Sequence, residues 1–319
     1  GHWRKIWGPG DWKALGRQRD PAGPTYKNFA AFLDARPEGK PFCFLLGASD
    51  PHRPYEPKSG AASGIDISKI RLPADLPDHE NVRNDVADYF FEVQRFDGDV
   101  AAALKLLQDI GELDNTIVVM TGDNGMPFPR HKSNVYDSGT HVPLAVRWGE
   151  KVPAGRRVTD FISLSDLAPT FLEAAGVDAP DEMTGRSFIA VLQSEKSGRV
   201  DPAHDYVLTG IERHGPAQEK PISGGYPARA IRTDRYMYVR NFEPDRWPAG
   251  CPDPELSYNG STYGNCDGGP TKSLLVQNSE DPAYRFYFDL AFAKRPAEEL
   301  FDLQKDPHQL NNVADDPQY

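Results

Sequence analysis

Cysteine, long apolar runs and an excess of positive charge are all scarce in this 319-residue sequence. The three cysteines, Cys43, Cys251 and Cys266, are too few for a disulfide-built scaffold and lack the paired spacing of a zinc site. No stretch approaches the roughly 18 consecutive apolar residues of a membrane helix, and residues 1–20 lack the apolar run of a signal peptide. We therefore expect a soluble chain that does not enter the membrane, with any targeting signal upstream of it.

The charge balance is acidic. A formal net charge of -11 argues against wholesale nucleic-acid binding, although a local basic pocket remains compatible with an anionic ligand. A hydrophobic content of 39% is sufficient for a sizeable core in a chain of this length. The sequence therefore predicts a globular protein without a nucleic acid partner.

Apolar periodicity predicts alternating strands and helices in the first 200 residues. The run 41–47 is typical of a buried strand, residues 86–110 have helical spacing, and residues 116–121 and 143–148 are two further strands. A helix is predicted at about 165–175, with Gly176 as its stop signal. This alternation indicates an α/β layered domain with a largely parallel central sheet.

The pattern changes near residue 200. Residues 206–211 and 228–240 alternate between polar and apolar positions, a long irregular loop follows, and a final strand is predicted at 301–303. We therefore predict one domain at 1–200 and a smaller, mostly antiparallel subdomain at 201–319. Cys43, within the first predicted strand, is expected to be a buried thiol, while Cys251 and Cys266 flank the irregular loop and are either bridged or free.

Candidate site residues follow two of the predicted strands, where ligands gather in open α/β sheets. Asp123 and Asn124 offer oxygen atoms that suit calcium better than zinc, although Asp-Asn-Gly is also good turn chemistry. His52 is suited to protonating a leaving group or to holding a substrate oxygen, and its alternative is a packed loop histidine. Lys132 is either an anion-binding group or a surface lysine.

Taken together, these segments resemble the sulfatase family of the alkaline-phosphatase superfamily. The resemblance rests on five ordered segments: residues 121–125, 132–143, 165–170, 183–187, and 299–303 with 306–307. Residues 50–55 and 124–129 further resemble the branch that contains the heparan sulfamidases. The resemblance implies an alkaline-phosphatase-like fold, with residues 1–200 as the catalytic domain and residues 201–319 completing the substrate pocket.

The resemblance also assigns roles to individual residues. It implies one calcium ion held by Asp123 and Asn124, sulfate binding by Lys132, and a contact of His52 with the sulfate or the leaving group. Lys5 resembles the family's early active-site lysine, but the histidine that commonly lies two positions later is replaced here by Trp7. In the C-terminal part, His214 and Arg229 lie in segments that resemble the substrate pocket of the sulfamidase branch, and a solvated strand face is the alternative for Arg229.

The family's nucleophile motif, Cys-x-Pro-x-Arg or Ser-x-Pro-x-Arg, does not occur in the sequence. The resemblance implies that a residue of this motif is converted to formylglycine. We therefore expect the motif in an N-terminal segment outside these 319 residues. That segment would act as a partner if it is a separate polypeptide. The expected activity is hydrolysis of sulfate from a sulfated oligosaccharide, with heparan-type glucosamine favoured and a secreted or periplasmic location implied. The alternatives are a phosphoester or phosphonate hydrolase and a non-catalytic sugar-binding remnant.

Overall fold

The computed structural model describes residue 16 and residues 23–319, which form eight α-helices and six β-strands. Three short 3-10 turns add to these elements. In chain order the elements are α1 (Phe29–Ala35), α2 (Ser59–Ala62), α3 (Glu80–Asp109), β1 (Val118–Thr121), α4 (Asp137–Thr140), β2 (Leu144–Arg147), α5 (Leu167–Ala174), α6 (Ile189–Gln193), β3 (Tyr206–Ile211), β4 (Ala228–Thr233), β5 (Tyr236–Asn241), α7 (Pro270–Gln277), α8 (Pro282–Phe292) and β6 (Glu298–Asp302).

Helix α3 dominates the first half of the chain. It begins at an N-cap histidine, His79, whose ring accepts from the backbone of Asn81, and it is 30 residues long. Val82 and Val86 bury one face of α3 against Phe128. In the described part of the chain, no helix is long and apolar enough to cross a membrane.

The strands form two sheets, one in each half of the chain. Strands β1 and β2 pair antiparallel, with Val119 opposite Val146, whereas β3, β4, β5 and β6 form an antiparallel sheet in that order. The antiparallel C-terminal sheet is confirmed. The largely parallel arrangement predicted for the central sheet is not seen between the two strands that represent it in residues 23–319, and the division of the chain near residue 200 stays a prediction.

The predicted strand at residues 41–47 is wrong for the described part of the chain. This segment is extended, but it makes no strand pairing with another described segment. Phe42 and Phe44 pack on Phe32 of α1, with ring centroids 5.4 and 4.6 Å apart, while Leu45 on the opposite face is 64% exposed. A buried strand needs cover on both faces, and only one face has it here.

The cysteine predictions also change. Cys43 was expected to be buried, but it is exposed, because it points away from the face of the segment that α1 covers. Cys251 is buried and Cys266 is half-buried, and both are free thiols. Burial raises the pKa of the Cys266 thiol to about 12, which keeps it protonated at neutral pH.

Candidate active site

The loop that carries His52 fixes the tautomer of its imidazole ring. The His52 backbone N–H donates to the Ser49 carbonyl at 2.9 Å, which closes a tight turn. Ring atom Nδ1 lies 2.5 Å from the carbonyl oxygen of Arg53. Because a carbonyl oxygen only accepts hydrogen bonds, Nδ1 carries the proton and Nε2 of the neutral ring is left with its lone pair.

A buried ion pair holds this loop in place. The Arg53 guanidinium donates to both carboxylate oxygens of Asp85, at 2.8 and 2.9 Å, and its Nε donates to the Pro127 carbonyl at 3.1 Å. Asp85 also accepts from the backbone and the hydroxyl of Thr271, at 3.1 and 2.7 Å. One carboxylate therefore joins the His52 loop, helix α3 and the start of α7.

Lys132 lies in a loop with an unusual backbone. Its neighbours Arg130 and Ser133 both have a φ of +68°, in the left-handed region, and the Lys132 backbone N–H donates to the Met126 carbonyl at 3.1 Å. Phe128 and Tyr136, both almost fully buried, anchor the loop on either side. The ammonium group of Lys132 is consequently held at a defined place.

Three polar side chains meet at this place, His52, Lys132 and Asp267, and a fourth, His214, is close enough for their charges to act on its pKa. We call these four residues the polar cluster. The Lys132 Nζ atom lies 3.5 Å from His52 Nε2 and donates to Asp267 Oδ2 at 2.9 Å. Desolvation by surrounding protein atoms lowers the pKa of His214, and the charge of Lys132 lowers it further, while Asp267 acts in the opposite direction. His214 therefore favours its neutral form in the unliganded site.

An open pocket of about 330 Å³ lies beside the polar cluster. Its walls come from two segments that are far apart in sequence and meet through Asp85. The lining residues are His52, Arg53, Pro54, Tyr55, Asp267, Gly268, Gly269 and Pro270. The pocket is open to solvent on one side.

The candidate metal ligands follow strand β1 directly. Asp123 is exposed, and the Asn124 amide donates to the Gly125 carbonyl at 2.8 Å, which leaves its own oxygen atom available. Carboxylate and amide oxygens fit a hard cation such as calcium. In residues 23–319 no group of three or more His, Cys, Asp or Glu side chains is placed to hold a metal, so these two donors fit part of a coordination shell.

Close backbone packing ties this turn to the Lys132 loop. The Gly125 N–H donates to the Gly139 carbonyl at 2.9 Å, and a Cβ atom on Gly125 would lie 1.8 Å from the Ser138 carbonyl oxygen. No side chain is compatible with that distance. Only glycine allows the turn after β1 to approach the segment that follows Lys132.

The described contacts of Arg229 include none with the polar cluster. Arg229 is half-exposed and pairs with Glu212, and its guanidinium also donates to the carbonyls of Ile211 and Ala228. Arg240, which lies opposite Arg229 on β5, also has an acidic partner, Glu298, and both arginine side chains are about half-exposed. This pattern favours the solvated strand face over a ligand contact for Arg229.

Two further outcomes concern the sequence predictions. Lys5 lies outside the described residues. Asp267 was missed, because it lies in an irregular loop rich in Gly, Asn and Pro with no motif around it. The only local signal is Asp-Gly-Gly-Pro immediately before α7, which predicts a tight approach but no chemistry.

Comparison with protein families places these residues in context. Residues 18–177, just over half of the chain, match the family model Sulfatase. Residues 130–248 match the model N-sulphoglucosamine sulphohydrolase, C-terminal. The first range contains His52, Asp123, Asn124 and Lys132, the second contains His214 and Arg229, and Asp267 lies beyond both.

Curated relatives agree with these matches. An ulvan-active sulfatase of Formosa agariphila is 30% identical over 253 residues, which cover 79% of this chain and 38% of the relative. The N-sulphoglucosamine sulphohydrolase of Homo sapiens is 27% identical over 320 residues, which cover 88% of this chain and 58% of the relative. The chain thus spans less than two thirds of either relative.

A solved structure from Bacteroides thetaiotaomicron, from a locus described for the metabolism of multiple glycosaminoglycans, superposes with a TM-score of 0.57 at 21% identity. The superposition covers 89% of this chain and 52% of that chain. At this identity the likeness speaks for the fold alone, and it confirms the alkaline-phosphatase-like α/β class. The order of the motifs, the family match over half of the chain and this shared fold agree, and the chain belongs to the sulfatase family.

Proposed function

We propose that the protein containing this chain releases sulfate from a sulfated carbohydrate, with N- or O-sulfated glucosamine of the heparan type as the favoured substrate. The observation that carries the proposal is the 3.5 Å separation of Lys132 Nζ and His52 Nε2 at the edge of an open pocket. An anionic group held by the lysine would lie within reach of a proton on the histidine. The match to the sulphohydrolase C-terminal model supports the choice of sugar.

Lys132 binds the sulfate in this proposal. A sulfuryl group in transfer spreads negative charge over its oxygen atoms, and an ammonium group fixed beside them stabilises that charge without rearranging. A calcium ion bound through Asp123 and Asn124 would supply further positive charge at the sulfate oxygens. Lys5 is proposed as a second lysine of the site.

His52 handles the proton. Its Nδ1 proton is fixed by the Arg53 carbonyl, so Nε2 is the atom that exchanges a proton with the substrate. In the overall reaction water adds to sulfur, the bond from sulfur to the sugar oxygen or nitrogen breaks, and that leaving atom takes up a proton from Nε2 of the doubly protonated ring. The proton that the attacking water loses restores this form of His52. The products are the desulfated sugar and sulfate.

The nucleophile in this proposal is a formylglycine, which comes from a segment outside these 319 residues. His214 at the cluster and Arg229 on the sheet are proposed as substrate contacts, although the pairing of Arg229 with Glu212 means that a ligand would have to compete for it. A secreted or periplasmic location is proposed from the family alone.

Sulfate release by the complete protein tests the proposal. Ion chromatography would measure sulfate released from N-sulfoglucosamine and from glucosamine 6-sulfate, with a phosphonate monoester as the competing substrate class. We expect sulfate release that is lost with a chelator and restored by calcium. Turnover of the phosphonate alone would favour the other hydrolase class, and sugar binding without any turnover would favour the non-catalytic alternative.

A further inference from the structure

Asp267 is the residue of the polar cluster for which neither the motifs nor the family matches give a role. It pairs with Lys132 at 2.9 Å, and its side chain is 22% exposed. It also lines the pocket beside His52. The carboxylate therefore faces the space that a substrate would occupy.

The backbone holds Asp267 firmly. On its C-terminal side, Thr271 is bonded to the buried Asp85, and Gly269 lies so close to Arg53 that an added Cβ would come within 2.7 Å of the guanidinium. Nearby, the Lys272 ammonium donates to the carbonyls of Tyr263 and Cys266, at 3.0 and 2.8 Å. The position of the carboxylate is thus set by the fold rather than by its pairing with Lys132.

A negative charge at this point opposes the binding of sulfate. It neutralises the ammonium group that the sulfate requires, and it repels the sulfate oxygens. A built-in carboxylate is compatible with an anion site when the same ligand also brings a hydrogen-bond donor to it. Sulfated sugars carry such donors, the hydroxyl or amino groups on the ring carbons next to the sulfated position.

We propose that Asp267 is a specificity-determining residue that accepts a hydrogen bond from a hydroxyl or amino group of the sugar adjacent to its sulfate, while Lys132 turns to the sulfate. This assignment rests on the proposed function for the identity of the ligand. The exchange of partners explains why an acid lies in the cluster. A sulfated compound without the neighbouring donor covers the carboxylate and leaves it without a hydrogen-bond partner, and it is rejected for that reason.

Equilibrium binding by calorimetry tests the assignment in the complete protein. The ligands are glucosamine 6-sulfate, N-sulfoglucosamine and analogues of each that lack one ring hydroxyl or amino group. We expect one analogue to bind about 10- to 100-fold more weakly than its parent to the wild type, and Asp267→Asn to reduce that difference to a few-fold. Inorganic sulfate should bind more tightly to Asp267→Asn than to the wild type, because Lys132 loses its competing partner.

A purely positioning role for Asp267 predicts a different result. If the carboxylate only held Lys132, Asp267→Asn would weaken the binding of parent sugars and analogues equally, and that result would overturn the assignment. Unchanged affinities in Asp267→Asn, or a wild type that binds none of the sugars, would overturn it as well. Asp245→Asn is the matched control, since Asp245 is an exposed loop carboxylate with no described hydrogen bond. Sulfate release measured on the same samples separates the two proposals, because selective binding without release would remove the hydrolytic function and leave the role of Asp267 intact.

Discussion

Arg53 and Asp85 form a two-point ion pair, with nitrogen to oxygen distances of 2.8 and 2.9 Å, at the junction of the His52 loop, helix α3 and helix α7. The Asp85 side chain is 1% exposed, and Arg53 is stacked between the rings of Tyr55 and Phe128. Arg53 forms part of the pocket wall, whereas Asp85 lies behind it. The contribution of the pair is to bring residues 52–55 and 267–270 together.

Asp85→Asn should therefore destabilise the fold by about 3–5 kcal/mol, because it leaves the guanidinium buried without its counter-charge. Urea unfolding followed by circular dichroism measures the change. Asp78→Asn is the matched control, since Asp78 also forms a two-point pair with an arginine, Arg83, but is exposed. A similar loss of stability in both variants would contradict the role of burial.

Lys132→Met should lower kcat/KM for sulfate release by about 10²–10³-fold, the usual effect of removing one group that stabilises transition-state charge. Steady-state kinetics of the complete protein checks this expectation. Lys69→Met, at an exposed lysine paired with Asp66, serves as the control and should retain activity. Retained activity in Lys132→Met would remove Lys132 from the site.

The affinity for inorganic sulfate should rise as the pH falls below about 6.5, the ordinary pKa of histidine. Desolvation and Lys132 lower the pKa of His214 in the free site, and a bound anion raises it again, so binding takes up a proton. Calorimetry at several pH values in the wild type and in His214→Gln measures the effect. His52 is present in both proteins, so the difference between them reports on His214.

The same lowered pKa fixes the sign of a stability effect. The unfolded chain binds a proton at His214 more tightly than the folded chain does. Above about pH 6.5 the residue is neutral in both states and has no effect, whereas below that pH protonation of the unfolded chain lowers the free energy of unfolding. Thermal unfolding should therefore show a smaller loss of Tm between pH 7.5 and 5.5 in His214→Gln than in the wild type. An equal loss in both proteins would argue against a lowered pKa.

Gly125→Ala should destabilise the protein by about 1–3 kcal/mol, because the new methyl group meets the Ser138 carbonyl at 1.8 Å and the backbone has to move. Chemical denaturation gives the value. Gly122→Ala offers a control within the same turn, where the nearest atom to an added Cβ is at 3.6 Å, an ordinary contact. If the two variants were equally stable, the close approach of the turn to residues 138–139 would be wrong.

Thiol labelling distinguishes the three cysteines. Cys43 is exposed and should react rapidly with an aromatic disulfide reagent in the native protein, whereas the buried Cys251 and the high-pKa thiol of Cys266 should react slowly. Denaturation without a reductant should then expose all three. One reactive thiol instead of three under those conditions would show that Cys251 and Cys266 are bridged.

Much of the secondary structure could be predicted from the sequence, because its signals are local. The helical spacing of residues 86–110, the stop at Gly176 and the alternation in residues 206–211 all correspond to observed elements. The segment 41–47 has the composition of a buried strand, but a strand also requires a partner. Composition does not reveal whether a partner is present.

The site was predictable only where motifs carried it. His52 and Lys132, both singled out from motifs, are 80 positions apart, and the structure places Lys132 Nζ 3.5 Å from His52 Nε2, while their roles stay a prediction. Asp267 joins them from 135 positions beyond Lys132, through a loop whose path depends on Arg53 and Asp85. No local pattern encodes that path, and for this reason the acid of the polar cluster could be found only in three dimensions.

The left-handed residues on either side of Lys132 carry backbone strain that arises when the chain folds, before a ligand binds. Arg130 and Ser133 each adopt a backbone conformation that costs about 1–2 kcal/mol for a residue with a Cβ atom. This strain is compensated by the packing of Phe128 and Tyr136 when the chain folds. The backbone of Lys132 is therefore fixed before any ligand arrives, so that only the side chain has to turn from Asp267 when a sulfate binds.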